Sequence, residues 1–135
     1  MTEETKFAFS IHQEYDVYHA QQRALDFARD TGFRRAEIYR LATVVTELCN
    51  NLVFHTQRGG LFTMRLQHRS GRWGIELTVE DDGPGILDLD LAMSDGFSTV
   101  HGLGSGLPGS RRLMDEFHIE SKPGVGTKVI AWLRQ

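Results

Sequence analysis

An alternating strand that runs into a turn of glycines and proline limits the fold of this chain more than any other stretch. From Trp73 to Val79, apolar residues alternate with polar ones, which is typical of a β-strand with one buried face. The turn Asp81-Asp82-Gly83-Pro84-Gly85-Ile86 follows it. Glycines around a proline make a rigid turn that a flat ligand can approach closely. The Asp81 carboxylate can accept a hydrogen bond from an amine of such a ligand, although an ordinary acidic turn is the competing interpretation.

The remaining patterns predict one domain in which helices pack on a sheet. The 135 residues suit a single domain over 1–135. Apolar residues at helical spacing predict three helices, with Asp16 as the N-cap of the first: Val17–Asp30, Arg35–His55 and Leu107–Phe117. Alternating segments predict five strands: Lys6–Ile11, Leu61–His68, Trp73–Val79, His118–Ser121 and Thr127–Leu133. We therefore expect an α+β two-layer sandwich, a mixed and mostly antiparallel sheet with helices on one face.

Composition argues against several classes of function. The net charge is -3 and the chain has no dense run of lysine and arginine, which argues against nucleic acid as a partner. Cys49 is the only cysteine, so no intrachain disulfide can form and a reducing compartment fits. The chain begins without the apolar core of a signal peptide and has no apolar run of bilayer length. We therefore expect a cytoplasmic protein that binds no membrane, and the scattered histidines do not predict a zinc site.

Glu47 and Asn51 lie four residues apart on the second predicted helix, so they share one helical face. Most pairs of this kind belong to a solvated face. Here the helix is apolar around much of its circumference, so we expect these polar groups to face a cleft or a partner. The amide oxygen of Asn51 suits Mg²⁺ that is bridged to phosphates. The carboxylate of Glu47 can orient a water or take a proton from an attacking hydroxyl.

A glycine-rich run leads directly into the third predicted helix, Gly102-Leu103-Gly104-Ser105-Gly106-Leu107-Pro108-Gly109. Its glycines allow backbone N–H groups to converge, and a helix N-terminus favours an anion, so phosphate binding is the natural use. A flexible loop before a helix is the alternative. The run contains a GxGxxG pattern, but no strand precedes it, so dinucleotide binding is rejected. We expect the surrounding segment 94–106 to act as a lid that a bound phosphate orders.

A fourth motif, Gly124-Val125-Gly126-Thr127-Lys128, precedes the last predicted strand. Thr127 can reach a base or a bound water if that strand lies beside the Asp81 turn. In their order along the chain, the four motifs resemble the N, G1, G2 and G3 boxes of the GHKL (Bergerat-fold) ATPases and kinases. Within that superfamily, the run from Asp95 to Phe117 is similar to the serine/threonine kinases of the bacterial stressosome.

The resemblance implies a Mg-ATP site in which three side chains have distinct roles. Asn51 would coordinate Mg²⁺, Glu47 would be the catalytic acid or base, and Asp81 would bind the adenine amine. The resemblance also assigns positions around the nucleotide, with the base above Gly83 and Gly85, the phosphates within Gly102, Leu103, Gly104, Ser105 and Gly106, and the adenine end beside Thr127.

The implied activity is phosphorylation of a serine or threonine on STAS-domain scaffold or antagonist proteins in stress signalling. Once released from them, such a kinase would activate a PP2C-type phosphatase. In one departure, related anti-sigma-factor kinases carry an arginine just before the second glycine box, where this chain has Ser98-Thr99-Val100-His101. His101, Arg111 or Arg112 would then neutralise the γ-phosphate.

Three other functions stay open. The first is an ATP-gated partner-binding module or anti-sigma factor with little phosphotransfer. The second is a bare ATPase. The third is a histidine-kinase fragment. The lack of a dimerising helix pair ahead of the domain argues against it.

Overall fold

The computed structural model describes residues 6–86, Met93 and residues 106–135, and the predicted α+β architecture is confirmed within them. The single domain over 1–135 stays a prediction. In chain order the described elements are β1 (Lys6–Ile11), α1 (Glu14–Asp30), α2 (Arg35–His55), β2 (Gly60–Arg69), β3 (Arg72–Asp81), α3 (Gly106–Leu113), β4 (Glu116–Lys122) and β5 (Gly126–Arg134).

The five described strands form one sheet in the order β1-β2-β3-β5-β4, and every pairing between them is antiparallel. Phe62 on β2 lies opposite Val79 on β3, which lies opposite Val129 on β5. This register places one apolar row of the sheet beneath the helices, because side chains alternate between the two faces of a strand. At one end of the sheet the same register sets Asp81 opposite Thr127.

The core lies between the sheet and the two long helices. The helix α2 contributes its apolar stripe, with Leu41, Val44 and Leu48 at 1% exposure or less. Burial of each large apolar side chain stabilises the fold by about 1.5–3 kcal/mol. The Phe7 ring of β1 meets the Phe27 ring of α1 edge to face at 5.5 Å. In the part of the chain that the structure describes, no helix is long and apolar enough to cross a membrane.

The start of α1 differs from the prediction. The helix begins at Glu14 with Gln13 as the N-cap, so the assignment of Asp16 to that position is wrong. The Asp16 carboxylate instead accepts hydrogen bonds from the backbone N–H groups of His12 (2.9 Å) and Gln13 (3.1 Å). An acid in the first turn that reaches back in this way satisfies N–H groups that lack helical partners. Gly32, with φ of +88°, ends the helix as predicted.

The last helix is shorter than predicted. α3 ends at Leu113, whose carbonyl accepts a hydrogen bond of 2.8 Å from Arg40 Nε on α2. Two residues later the backbone N–H of Asp115 donates to Trp132 of β5, and β4 begins. Phe117 therefore packs against the core from a strand, and its placement on a helix was wrong. The apolar residues here fit both the helical and the strand period, and pairing with β5 makes this segment a strand.

Candidate functional site

The helix α2 holds Glu47 and Asn51 at the margin of the core. Val44, Leu48 and Leu52 on the same helix are fully buried, whereas Glu47 and Asn51 are half-buried beside them. Burial raises the pKa of the Glu47 carboxyl, because the charged form loses hydration. A carboxylate with a raised pKa is a stronger base near neutral pH, which suits the proton-accepting role predicted for this residue.

The amide oxygen of Asn51 is buried and has no hydrogen-bond partner within the described residues. A buried acceptor without a partner costs about 1–3 kcal/mol, so the oxygen is suited to a ligand that supplies a donor or a cation. No group of three or more His, Cys, Asp or Glu residues in the described ranges can hold a metal ion. Mg²⁺ often takes one or two protein ligands and fills its other positions with phosphate oxygens and water. The Asn51 oxygen fits that mode of binding.

Asp81 is the last residue of β3, and the backbone fixes its carboxylate. The Gly83 N–H donates to Asp81 Oδ1 at 2.8 Å. Burial raises the pKa of the Asp81 carboxyl, and the hydrogen bonds from the N–H groups of Gly83 and Thr127 lower it without cancelling the effect of burial. An ordered, partly desolvated carboxylate at the end of a strand is a suitable acceptor for a ligand amine.

The two glycines of the turn have packing roles in the fold. Gly85 has φ of +76°, and a Cβ there would collide with the backbone carbonyl of Lys122 in the β4–β5 hairpin. A Cβ at Gly83 would lie 3.2 Å from Thr56 Cγ2, just after the end of α2. Gly83 therefore lets the end of α2 approach the Asp81 turn, and Gly85 lets the turn rest on the hairpin. Their position beneath a base stays a prediction.

Thr127 lies directly opposite Asp81 in the β3–β5 pairing, so the last strand lies beside the Asp81 turn, as its predicted ligand role requires. Ser121 on β4 also lies at this end of the sheet, and none of the four sequence motifs includes it. The Ser121 hydroxyl accepts a hydrogen bond from the Ile86 N–H at 2.7 Å and lies 2.8 Å from Thr127 Oγ1. It also donates to the Gly126 carbonyl at 3.1 Å. The alternation of β4 places Ser121 on the same face as Phe117, and that pattern could have identified it.

Part of the predicted phosphate-binding run lies outside the described residues, namely Gly102, Leu103, Gly104 and Ser105, together with His101 and the proposed lid up to Ser105. Gly106 is the first residue of α3. Arg111 and Arg112 are exposed in the last turn of the same helix. The γ-phosphate partner therefore stays a prediction.

Two open volumes border the Asp81 turn. A cavity of about 730 Å³ is lined by Asp81, Ser121 and Thr127 together with residues of the outer sheet face. A groove of about 670 Å³ is lined by residues 54–58, at the end of α2, and by residues 82–84 of the turn. Both volumes fall within the size range of small-molecule sites. Neither is lined by Glu47 or Asn51, so these two volumes do not bring the proposed metal-binding residues together with Asp81.

The sequence profile of the histidine kinase-, DNA gyrase B- and HSP90-like ATPases matches residues 36–135. The chain belongs to this family. Two solved structures share its fold at low sequence identity. A chain of the SiaB-SiaC complex from Pseudomonas aeruginosa superimposes with a TM-score of 0.66 at 11% identity, covering 94% of this chain and 88% of that one. The catalytic domain of histidine kinase ThkA gives a TM-score of 0.55 at 14% identity, covering 96% of each chain.

One relative is similar over nearly the full length. The serine/threonine-protein kinase RsbT of Bacillus subtilis (strain 168) is 40% identical over 126 residues, which cover 92% of this chain and 94% of the relative. This likeness confirms the predicted resemblance to a serine/threonine kinase of the GHKL superfamily and the predicted enzyme class, a protein serine/threonine kinase. An anti-sigma F factor of Caldanaerobacter subterraneus subsp. tengcongensis is 35% identical over 98 residues, covering 69% of this chain and 67% of the relative.

Proposed function

We propose that this chain transfers the γ-phosphoryl group of Mg-ATP to a serine or threonine of a STAS-domain scaffold or antagonist protein in stress signalling. Released from that partner, it activates a PP2C-type phosphatase. The observation that supports phosphotransfer most directly is the buried Asn51 oxygen, which has no hydrogen-bond partner among the described residues and lies one helical turn from the Glu47 carboxyl with its raised pKa. The likeness to RsbT supports the kinase class, and the two partner classes follow from the family resemblance.

Asn51 would hold Mg²⁺ through its amide oxygen. When bound, Mg²⁺ neutralises charge on the phosphate oxygens and orders them for transfer. Because the amide is neutral, Asn51 adds no negative charge against the triphosphate. The backbone N–H groups of 102–106 and the N-terminus of α3 would bind the phosphate oxygens.

Glu47 would act on the attacking hydroxyl. Its carboxylate takes the hydroxyl proton while the serine or threonine oxygen forms a bond to the γ-phosphorus. The bond from the γ-phosphorus to the bridging oxygen breaks, and ADP leaves with that electron pair. The raised pKa of Glu47 increases its affinity for the transferred proton.

Asp81 would select the base. Its carboxylate, fixed by the Gly83 N–H, accepts a hydrogen bond from the adenine amine. Thr127 lies beside it on β5 and completes the base-binding end. The role of these residues is to bind and orient the nucleotide, so their loss affects affinity before it affects the chemical step.

A second candidate function is an ATP-gated binding module or anti-sigma factor with little phosphotransfer. The similarity to an anti-sigma F factor over 69% of the chain favours keeping it. The two functions share the nucleotide site, and they differ in whether phosphate reaches the protein partner.

A phosphotransfer assay with labelled ATP and a STAS-domain protein tests the proposal. Glu47→Ala should keep Mg-ATP binding and lose about 10²–10⁴-fold in rate, the usual value of general acid–base help. Asn51→Ala should lose both transfer and Mg-dependent affinity. Asp30→Ala, which removes an exposed carboxylate at the end of α1, is the matched control and should behave as wild type.

Transfer at the wild-type rate by Glu47→Ala would remove Glu47 from proton transfer. A wild-type protein that binds its partner in an ATP-dependent way, yet leaves it unlabelled, would favour the gating module.

A further inference from the structure

The Ser121 hydroxyl at the base-binding end has three polar neighbours but only one proton. It accepts from the Ile86 N–H at 2.7 Å. It lies 3.1 Å from the Gly126 carbonyl oxygen, which can only accept. It also lies 2.8 Å from Thr127 Oγ1, where either oxygen can be the donor. A serine hydroxyl donates one hydrogen bond and accepts up to two.

Only one proton arrangement turns all three contacts into hydrogen bonds. If Ser121 donates to Gly126, its two lone pairs accept from Ile86 and from the Thr127 hydroxyl. If Ser121 donates to Thr127 instead, two oxygens face each other across 3.1 Å at Gly126 without a proton between them. A close oxygen pair without a proton is unfavourable, so the first arrangement is preferred.

We infer that Ser121 is a positioning residue that directs the Thr127 hydroxyl proton away from the ligand and leaves Thr127 as an acceptor. Asp81, opposite Thr127, is an acceptor as well. This end of the site therefore offers acceptors to the six-position of a purine. Adenine carries a donor amine there, whereas guanine and hypoxanthine carry an acceptor carbonyl. The inference rests on the proposed nucleotide-binding function, and it attributes part of the preference for adenine to the Ser121–Thr127 contact.

The experiment compares the affinities of the full chain for ATP and inosine triphosphate by calorimetry. Inosine triphosphate has a carbonyl in place of the amine and lacks the two-amino group of guanine. In Ser121→Ala, the Thr127 proton is released and can point to a six-carbonyl. The preference for ATP over inosine triphosphate should fall by about 3–10-fold, the value of one neutral hydrogen bond.

A double-mutant cycle separates this effect from general damage to the fold. Thr127→Val removes the hydroxyl at nearly constant shape, so Ser121→Ala in that background should leave the preference unchanged. Ser121→Thr keeps one donor and two acceptors and should retain the wild-type preference. Thermal melts of all variants confirm folding.

A merely structural role for Ser121 predicts that Ser121→Ala weakens both nucleotides equally, in both backgrounds. That outcome, with ATP binding by the wild type intact, would overturn the inference and leave the proposed function standing. A wild-type protein that binds neither nucleotide would refute the proposed function and, with it, this inference.

Discussion

Replacing Asn51 by leucine should make the nucleotide-free protein more stable while it abolishes Mg-dependent ATP binding. The Asn51 oxygen is buried without a hydrogen-bond partner in the described part of the chain. Leucine has a similar shape and no polar atom, so the substitution removes the cost of the unpaired acceptor. The residue sits on α2 next to the fully buried Leu48 and Leu52, and an apolar side chain fits that environment.

The expected gain follows from the cost of an unpaired buried group, about 1–3 kcal/mol. Unfolding entropy scales with length, so in a chain of 135 residues each kcal/mol shifts the melting temperature by about 3–4 °C. Asn51→Leu should therefore melt about 3–10 °C above the wild type without nucleotide. Leucine is also the better helix former, which adds a few tenths of a kcal/mol in the same direction.

Adding Mg-ATP should reduce or reverse the stability difference between Asn51→Leu and the wild type. A ligand present at a hundred times its dissociation constant stabilises the folded protein by about 2.7 kcal/mol. The wild type gains this term and the variant does not. Thermal melts with and without Mg-ATP, read by circular dichroism, measure both effects on the same samples.

Ser110 provides a matched control. Its hydroxyl on α3 is also buried, at 2% residue exposure, and also lacks a hydrogen-bond partner among the described residues. Ser110→Ala should raise stability in the same way and keep the full response to Mg-ATP. If nucleotide-free Asn51→Leu is less stable than the nucleotide-free wild type, the reasoning is refuted, because the amide oxygen must then have a partner in solution. An unchanged Mg-ATP response would remove Asn51 from the metal site.

Three further predictions concern the Asp81 turn and Glu47, the proposed proton acceptor. Asp81→Asn should weaken ATP binding by about 1.5–3 kcal/mol, the range for a hydrogen bond to a charged group, with unchanged affinity in calorimetry counting against the assignment. Gly85→Ala should destabilise the fold by more than 1 kcal/mol or so, because a Cβ meets the Lys122 carbonyl at a positive φ; a melt equal to wild type would contradict this. Phosphotransfer should fall as pH drops through the raised pKa of Glu47. Because burial penalises only the charged carboxylate, the wild type and Glu47→Gln should be most alike in stability below the ordinary glutamate pKa, and the wild type should lose stability relative to Glu47→Gln as pH rises through the raised pKa. A rate profile shared by both proteins would exclude Glu47 as the base.

Much of the fold could be predicted because local patterns were unambiguous. The apolar stripe of α2 and the alternation of β2 and β3 gave these elements to within two residues of their observed ends. The predictions failed where two local patterns competed. Residues 113–117 fit a helix and a strand equally, and pairing with β5 made Phe117 a strand residue. In α1, Asp16 is suited both to the N-cap position and to the first turn. It lies in the first turn, where its carboxylate accepts hydrogen bonds from the backbone N–H groups of His12 and Gln13.

The sequence by itself determined which chemical groups the site has and the order in which the chain presents them. An amide and a carboxylate one turn apart, an acid at a strand end and a glycine run before a helix are local features, readable without contacts. Only the tertiary structure decided that the Asn51 oxygen is buried with no partner in the described ranges, that Thr127 lies opposite Asp81, and that Ser121 contacts Thr127. Those facts depend on strand register and on helix packing, which bring together residues far apart in the chain. Burial and proton sharing arise from such contacts and cannot be read from a single segment.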